Sequence, residues 1–217
     1  MASSSQFFHE FADRFDTIYD EKRNWFMRWV DREFRSDMFG RFAKTFELFG
    51  DLKGKRVLDI GCGSGPYTLE ALHRNAAHVT ALDPAERMLE LTEQRLSAAG
   101  MLDRASLVLG AFPDASEKLG GQHDFAMVMG VMDYIADSPA FLRSLRTLVT
   151  TGAALSFPSS HWFRSPLRKV RYRLRRCPVY FYDDTSIRRL LTDAGFRKIE
   201  LIKLPGAGMD YVAWAQP

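Results

Sequence analysis

Three glycines at alternating positions, Gly61, Gly63 and Gly65, form the part of the chain whose residue types and spacing best suit ligand binding. They follow residues 57–60, which read as a buried strand, and a helical pattern begins directly after them. Glycine permits tight turns and a close approach of a ligand to the backbone, and the start of a helix attracts anionic or electron-rich groups. The pattern therefore predicts a ligand-binding turn, the alternative being an ordinary glycine-rich connection.

A carboxylate at Asp83 extends this predicted site. It ends the second apolar run, close to the separation of roughly 20 residues from the glycine turn at which a carboxylate accepts hydrogen bonds from ribose hydroxyls. The spacing G-x-G-x-G departs from the G-x-G-x-x-G pattern that accommodates a pyrophosphate. A nucleotide without a diphosphate is therefore favoured over a dinucleotide.

Further candidates for chemistry follow the fourth and fifth predicted strands. Asp133 and Tyr134 come just after the fourth, where Asp133 could act as a general base or orient an acceptor, or could simply cap a helix. His161 follows the fifth strand and has a suitable pKa for acid–base work, although a lone histidine often has a structural role. Hydrogen bonds to an acceptor could come from three tyrosines, Tyr19, Tyr180 and Tyr182.

These residues must be positioned by an alternation of strands and helices that begins near residue 54. Strands are predicted at 56–60, 78–82, 106–109, 124–129 and 153–157, with helices at 66–75, 85–99 and 138–149. A helix at 185–194 and two strands at 197–204 and 210–215 complete the chain. Such alternation predicts a mainly parallel sheet covered on both faces, with ligands beyond the carboxyl ends of its strands.

Residues 1–50 carry two unusually aromatic amphipathic stretches. The first contains Phe7, Phe8, Phe11 and Phe15 at helical spacing, and the second runs from about residue 24 to residue 49. An apolar stripe of this period is first of all a buried face, so packing against a core is the plainest interpretation. The functional interpretation is an N-terminal helical lid over the pocket of a domain at 51–217, and membrane association is a third.

An insertion at 158–183 follows the fifth predicted strand. Between residues 164 and 176 it holds seven basic residues and no acid, with apolar residues at helical spacing. This pattern predicts a short basic amphipathic helix, with Arg168 as a candidate substrate contact. The alternatives are a solvated surface face, an acidic carrier protein or an anionic membrane surface as partner.

Composition excludes several other classes of function. The formal charge is +3, from 30 basic and 27 acidic residues, so no global field favours nucleic acid as a partner. Cys62 and Cys177 are the only cysteines and lack metal-ligand spacing, so we expect reduced thiols and no metal site. Without an apolar run of signal-peptide or membrane-spanning length, the expected location is cytoplasmic.

Four segments together resemble the class I S-adenosylmethionine-dependent methyltransferases over residues 54–217. They are VLDIGCGSG, ALDPAERML, DFAMVMGVMDYI and LLTDAGFRKIEL. The resemblance implies a Rossmann-like α/β fold, whose mostly parallel seven-stranded sheet has helices on both faces and an antiparallel last strand. It also implies S-adenosylmethionine as cofactor and S-adenosylhomocysteine as product.

The same resemblance assigns roles to individual residues. Asp59 and the three glycines would surround the methionine moiety, and Asp83 would bind the ribose. The chain departs from the family after the third strand, where an acid usually holds the adenine amine but Gly110, Ala111 and Phe112 stand here. Phe112 could instead form an apolar wall and offer a backbone amide, or Asp114 could replace the acid.

The expected reaction is methyl transfer to an oxygen or nitrogen of a small-molecule metabolite, with an anionic or carrier-bound acceptor left open. FDTIYDE and VMDYIAD also resemble segments of magnesium-protoporphyrin methyltransferases, although that family has histidine where Asp133 stands. A porphyrin- or quinone-type methyltransferase is therefore one alternative, and a non-catalytic binding module with a nucleotide fold is another. The acceptor and the oligomeric state stay open.

Overall fold

Seven strands form one sheet in the computed structural model, which describes residues 39–159, 179–204 and 211–217. The strands are β1 (Arg56–Ile60), β2 (His78–Asp83), β3 (Ala105–Leu109), β4 (His123–Val128), β5 (Val149–Phe157), β6 (Lys198–Lys203) and β7 (Tyr211–Gln216). Their order across the sheet is β3-β2-β1-β4-β5-β7-β6. Neighbours pair in parallel except for β7, which is antiparallel to β5 and β6. This confirms the predicted Rossmann-like fold.

Among the described residues, one α-helix precedes β1 and four lie between the strands. They are α1 (39–49), α2 (Pro66–His73), α3 (Glu86–Ala98), α4 (Ser138–Leu148) and α5 (Asp184–Asp193). Their starts follow local chemistry, since Pro66 opens α2 and the side chain of Asp137 accepts a hydrogen bond from the Ala140 amide at the start of α4. At α5, Asp183 and Ser186 form a capping box.

The strand that differs most from its predicted bounds is β5. It begins at Val149, directly after α4, instead of at Ala153. Val149 pairs with His123 of β4 and Gly152 pairs with Phe125, so residues 149–152 belong to the strand despite their loop-like composition. Gly152 is required there, since a Cβ at this position would lie 2.2 Å from the Trp214 ring of β7. A small, polar segment that reads as a connection is therefore strand in the centre of the sheet.

The core lies on both faces of the sheet, as alternation along the strands requires. In β1, Leu58 and Ile60 face the cluster that contains α4 and α5, whereas Val57 faces the cluster that contains α1 and α2. On the second face, Phe49 of α1 stacks on Phe125 of β4 with ring centroids 4.9 Å apart. Full burial of one such side chain contributes about 2 kcal/mol.

Helix α1 belongs to the second aromatic stretch of the N-terminal region. Phe46 and Phe49 are buried against the sheet, which supports the packing interpretation for this part of the stretch. The rest of the lid predicted at 1–50, residues 1–38, lies outside the described residues. Among the helices that the structure describes, none combines the length and the apolar character needed to cross a bilayer.

Candidate functional site

The glycine turn joins the end of β1 to the end of β2 before it enters α2. The amides of Gly61 and Cys62 donate hydrogen bonds to the Leu82 carbonyl at 2.8 and 3.1 Å, and the Gly65 amide donates to the Cys62 carbonyl at 3.0 Å. All three glycines have positive φ, between 55° and 76°, which side chains rarely tolerate. The predicted strand–turn–helix is therefore present, and its backbone conformation requires glycine.

The space around the three glycines differs. A Cβ at Gly61 would lie 2.4 Å from Val131 Cγ2, and a Cβ at Gly65 would lie 2.7 Å from Thr92 Cγ2. A Cβ at Gly63 would meet no atom of the described residues within 4 Å. Gly61 and Gly65 are thus required for packing, while the backbone at Gly63 borders open space that a ligand could occupy.

Asp83, at the end of β2, is nearly buried and is oriented by backbone amides. One carboxylate oxygen accepts a hydrogen bond from the Gly63 amide and the other from the Ala85 amide, both at 2.9 Å. The two hydrogen bonds orient the carboxylate beside the glycine turn at the carboxyl end of β2. The placement fits the predicted nucleotide-binding role.

Asp59 lies under the turn, near the end of β1, and is 2% exposed. Its carboxylate accepts a hydrogen bond of 2.6 Å from the Thr68 hydroxyl on α2. Burial raises the pKa of Asp59 from 3.8 to about 7, helped by the nearby charge of Asp83 and opposed by the Thr68 hydrogen bond. The Asp59 side chain, a predicted cofactor contact, thus ties the end of β1 to α2 beneath the glycine turn, and its pKa lies near neutrality.

The loop after β4 lies beside the glycine turn, where the strand order reverses between β1 and β4. The Gly130 amide donates to the Ser156 hydroxyl of β5 at 2.7 Å, and Val131 packs against Gly61. A short 3-10 turn, Met132–Tyr134, follows, and the carbonyl of Asp133 accepts a 2.8 Å hydrogen bond from the Tyr180 amide. Asp133 and Tyr134, two of the three residues predicted for catalysis, therefore lie on the loop that adjoins the turn.

Tyr180 and Tyr182, both predicted to contact substrate, differ in environment. Tyr180 is half-buried, whereas Tyr182 is 8% exposed and its hydroxyl lies 2.7 Å from the Ser138 hydroxyl and 3.2 Å from the Met132 carbonyl. Burial raises the pKa of the Tyr182 phenol. These contacts within the protein favour a role for Tyr182 in holding the loop after β4.

Phe112 and Asp114 follow β3, at the place where the sequence departs from its resemblance. Phe112 is buried and packs edge to face on Phe141 of α4, with centroids 4.8 Å apart, whereas Asp114 is exposed. The Gly110 amide donates to the Asp83 carbonyl at 3.1 Å, which ties this segment to the end of β2. Phe112 as a wall for adenine stays a prediction.

Several predicted residues lie outside the described residues, namely Tyr19, His161, Arg168 and Cys177. Within the described ranges, no group of three or more histidine, cysteine, aspartate or glutamate side chains is arranged to hold a metal ion. Cys62, inside the turn, is a buried free thiol, and burial raises its pKa.

Three hydroxyls that sequence reasoning missed hold the site together. Thr68 bonds to Asp59, Thr92 donates to the Gly63 carbonyl at 2.8 Å, and Ser156 accepts from Gly130. All three are buried. A signal exists in the sequence, because each is a polar residue on an otherwise apolar helix face or strand.

Curated relatives match about half of the chain. The ubiquinone biosynthesis O-methyltransferase of Bordetella avium strain 197N is 31% identical over 113 residues, which cover 51% of this chain and 45% of that protein. The protein of the same name from Escherichia coli O127:H6 is 30% identical over 117 residues, or 54% of this chain and 48% of that protein. The chain thus spans about half the length of the curated relatives it matches.

One solved structure is similar over nearly its whole length, and the family model covers most of the chain. Magnesium protoporphyrin IX methyltransferase from Synechocystis PCC 6803, crystallised with SAH, gives a TM-score of 0.72 at 20% identity over 98% of this chain and 97% of that one. At this identity the likeness shows the fold. A family model described as a methyltransferase domain matches residues 34–201. The chain therefore belongs to the methyltransferase-domain family.

Proposed function

We propose that this protein is an S-adenosylmethionine-dependent methyltransferase that transfers a methyl group to an oxygen or nitrogen of a small-molecule acceptor. The observation that carries the proposal is the pairing of the Gly63 amide with the Asp83 carboxylate, at 2.9 Å, beside open space at the carboxyl end of the sheet. Membership in the methyltransferase-domain family and the bound SAM or SAH of structural neighbours support it.

The donor site, formed by residues 59–65 and Asp83, fits this cofactor in chemical terms. When bound, S-adenosylmethionine supplies a methyl group on a sulfonium, which is already a good leaving group. The protein therefore has mainly to align the two reactants and exclude water. Asp83 would accept the ribose hydroxyls, and the glycine turn at the start of α2 would hold the methionine part.

Asp133 is the proposed group for proton removal or for orienting the acceptor. It is 7% exposed, and its main chain is tied to Tyr180, so its loop is held beside the glycine turn. A base is useful when the acceptor is a hydroxyl or an ammonium, and it must lie about 3 Å from the proton it removes. Tyr134 and His161 are further candidates, and Tyr19, Tyr180 and Arg168 are proposed acceptor contacts.

Calorimetric titration with S-adenosylmethionine and S-adenosylhomocysteine tests the proposal directly. We expect both to bind at one site per chain, with Asp83→Asn weakening both. Absence of binding by the folded protein would contradict the proposal. Tight binding without methyl transfer to any compound of a metabolite panel would instead favour a non-catalytic binding module.

A porphyrin or quinone acceptor is a second candidate, favoured by two observations. The chain covers nearly all of a magnesium protoporphyrin IX methyltransferase in fold, and several curated relatives are named for ubiquinone biosynthesis. A side-by-side assay with magnesium protoporphyrin IX and a prenylated catechol distinguishes a porphyrin acceptor from a quinone-type acceptor. It measures S-adenosylhomocysteine release and product mass. If S-adenosylhomocysteine is released with neither compound, the acceptor belongs to another class of small metabolites.

The basic segment at 164–176 is proposed to contact an anionic substrate, an acidic carrier protein or an anionic membrane surface. It lies outside the described residues, and the proposal depends on its seven basic residues. If the acceptor is anionic, we expect its KM to rise steeply with salt while the affinity for S-adenosylhomocysteine changes little. A KM that does not respond to salt would indicate a solvated face.

A further inference from the structure

Thr92 connects a helix that lies outside the glycine motif to the motif itself. It lies in the middle of α3, and its side chain is fully buried. The hydroxyl donates a hydrogen bond of 2.8 Å to the Gly63 carbonyl. A buried polar side chain is costly without a partner, so the Thr92 hydroxyl depends on this bond, while the Gly63 carbonyl also accepts a weaker contact of 3.7 Å from the Cys62 thiol.

The same side chain packs against the rest of the turn. The Thr92 methyl occupies the space beside Gly65, where a Cβ would lie only 2.7 Å away, and its hydroxyl lies 4.0 Å from the Cys62 sulfur. One residue of α3 therefore contacts Cys62, Gly63 and Gly65. Helix α3 therefore packs so close to the turn that a side chain larger than that of glycine would not fit at position 65.

Gly63 is consequently held from both sides. Its amide donates to the Asp83 carboxylate at 2.9 Å, and its carbonyl accepts from Thr92 at 2.8 Å. Gly63 has positive φ, and because glycine has no Cβ its backbone is the least restricted of any residue type. The two hydrogen bonds replace that missing restriction and orient the peptide groups on either side of Gly63.

We propose that Thr92 is a positioning residue for the methyl donor: it fixes Gly63, and through Gly63 the Asp83 carboxylate, in the binding arrangement before the ligand arrives. Preorganisation of this kind lowers the ordering cost of binding. The inference rests on the proposed function, because the ligand that gains from it is the methyl donor. Thr92 is fully buried and acts through Gly63.

The test replaces Thr92 with valine, which has nearly the same shape and lacks the hydroxyl. We expect Thr92→Val to weaken S-adenosylhomocysteine binding about 5- to 10-fold in calorimetry, the factor that corresponds to one lost hydrogen bond. Amide hydrogen exchange of residues 58–68 in the ligand-free protein should become faster. Thr92→Ser, which retains the hydroxyl, should restore affinity to within about twofold of the wild type.

Thr45→Val is the matched control. Thr45 is also fully buried on a helix, and its hydroxyl donates to the Arg41 carbonyl at the same 2.8 Å, with Met129 Sδ a further 3.7 Å contact. We expect this variant to lose a similar amount of thermal stability and to bind S-adenosylhomocysteine within about twofold of the wild type. The comparison separates loss of stability from loss of positioning.

The outcomes are distinct. Wild-type protein that binds neither S-adenosylmethionine nor S-adenosylhomocysteine would overturn the proposed function and this inference with it. Wild-type binding with unchanged affinity in Thr92→Val, or an equal loss in Thr45→Val, would overturn the positioning role alone. If Thr92→Val does not fold, Thr92→Ala and Thr92→Ser supply the same comparison.

Discussion

The proposed donor site and the proposed acceptor loops, the latter being residues 130–134 and 180–182, are built in different ways. In the donor site and its supports, hydrogen bonds join residues 9, 20 and 29 positions apart, and backbone groups of the turn take part in two of the three. In the acceptor loops, the bonds span 26, 44 and 50 positions. The donor-site bonds thus all lie within residues 59–92, whereas those of the acceptor loops join segments spread over residues 130–182.

This difference has a consequence for how each region can change. A local, backbone-based site tolerates few substitutions, because its glycines are fixed by φ and by packing. Loops joined by side chains of distant segments can be altered with less effect on the turn, except at Val131, which packs against Gly61. The donor site should therefore respond sharply to small changes, and the acceptor loops should respond mildly.

Gly61→Ala should give the largest effect. The new Cβ would lie 2.4 Å from Val131 Cγ2 and would sit on a residue with φ of 72°, so both packing and backbone oppose it. We expect a loss of about 3 kcal/mol in the free energy of unfolding and at least 100-fold weaker S-adenosylhomocysteine binding, measured by urea denaturation and calorimetry.

The control for this change is Gly100→Ala, where φ is 65° but nothing lies within 4 Å of the new Cβ among the described residues. It should cost about 1 kcal/mol and leave binding unchanged. Adding Val131→Ala to Gly61→Ala should recover part of the loss. A Gly61→Ala protein that still binds S-adenosylhomocysteine tightly would contradict the prediction that the donor site responds sharply to small changes.

Asp83→Asn should come next. The amide retains only one acceptor oxygen, so it cannot accept from both the Gly63 and Ala85 amides and from ribose hydroxyls as well. We expect S-adenosylhomocysteine to bind 10- to 100-fold more weakly by calorimetry. Asp124→Asn is the control, because Asp124 also accepts from a backbone amide, that of Arg56, but at the opposite end of β1. Equal losses in the two variants would show that the effect is not specific to the site.

Asp59 should make stability depend on pH. The folded protein holds this proton with a pKa of about 7, against 3.8 in the unfolded chain. Ionisation therefore costs more in the folded state, and the contribution of Asp59 to stability falls as the pH rises from about 4 to about 7 and is constant above that. The Asp59→Asn variant cannot ionise at this position, so its free energy of unfolding should rise relative to that of the wild type as the pH increases.

The gain should be on the order of 2 kcal/mol between pH 5 and pH 8, measured by urea denaturation of both proteins at each pH. His123, whose pKa burial lowers to about 4, titrates equally in both proteins and cancels from the difference. A difference that does not change with pH would show that Asp59 is not the titrating group.

Tyr182→Phe should give the smallest effect and tests the acceptor loops. It removes the hydroxyl that contacts Ser138 and the Met132 carbonyl, so we expect a loss of about 1 kcal/mol in the free energy of unfolding. S-adenosylhomocysteine affinity should stay within about twofold. A higher KM for the acceptor without loss of stability would instead restore Tyr182 as a direct substrate contact.

The sequence predicted the donor side of the molecule well, for physical reasons. Strand bounds such as 56–60, the turn at Gly61 and the position of Asp83 all follow from short-range patterns of hydrophobicity and backbone preference. The early start of β5 could not be predicted in this way, because it depends on the pairing of Val149 and Gly152 with His123 and Phe125 of β4, a contact between separate segments of the chain.

The supporting contacts could be predicted only in part. Thr92 falls on the buried face of α3 with Met88, Leu89 and Leu96, so a polar residue there points to a partner, but nothing in the spacing names Gly63 as that partner. The contact of Tyr182 with Ser138 depends on how two distant segments meet. Such pairs are set by tertiary packing and leave no local pattern.

The segment that follows β5 is fastened at both ends. The Tyr182 amide donates to the Pro158 carbonyl at 2.9 Å, and Ser159 forms an isolated β-bridge with Tyr182. Two points more than twenty residues apart in sequence are therefore neighbours in space. Since the entropy of closing a loop grows only slowly with its length, the intervening stretch could be lengthened, shortened or exchanged at small cost to the sheet. This junction is therefore a suitable place to exchange the intervening segment for one from a related protein while the sheet and the glycine turn are left unchanged.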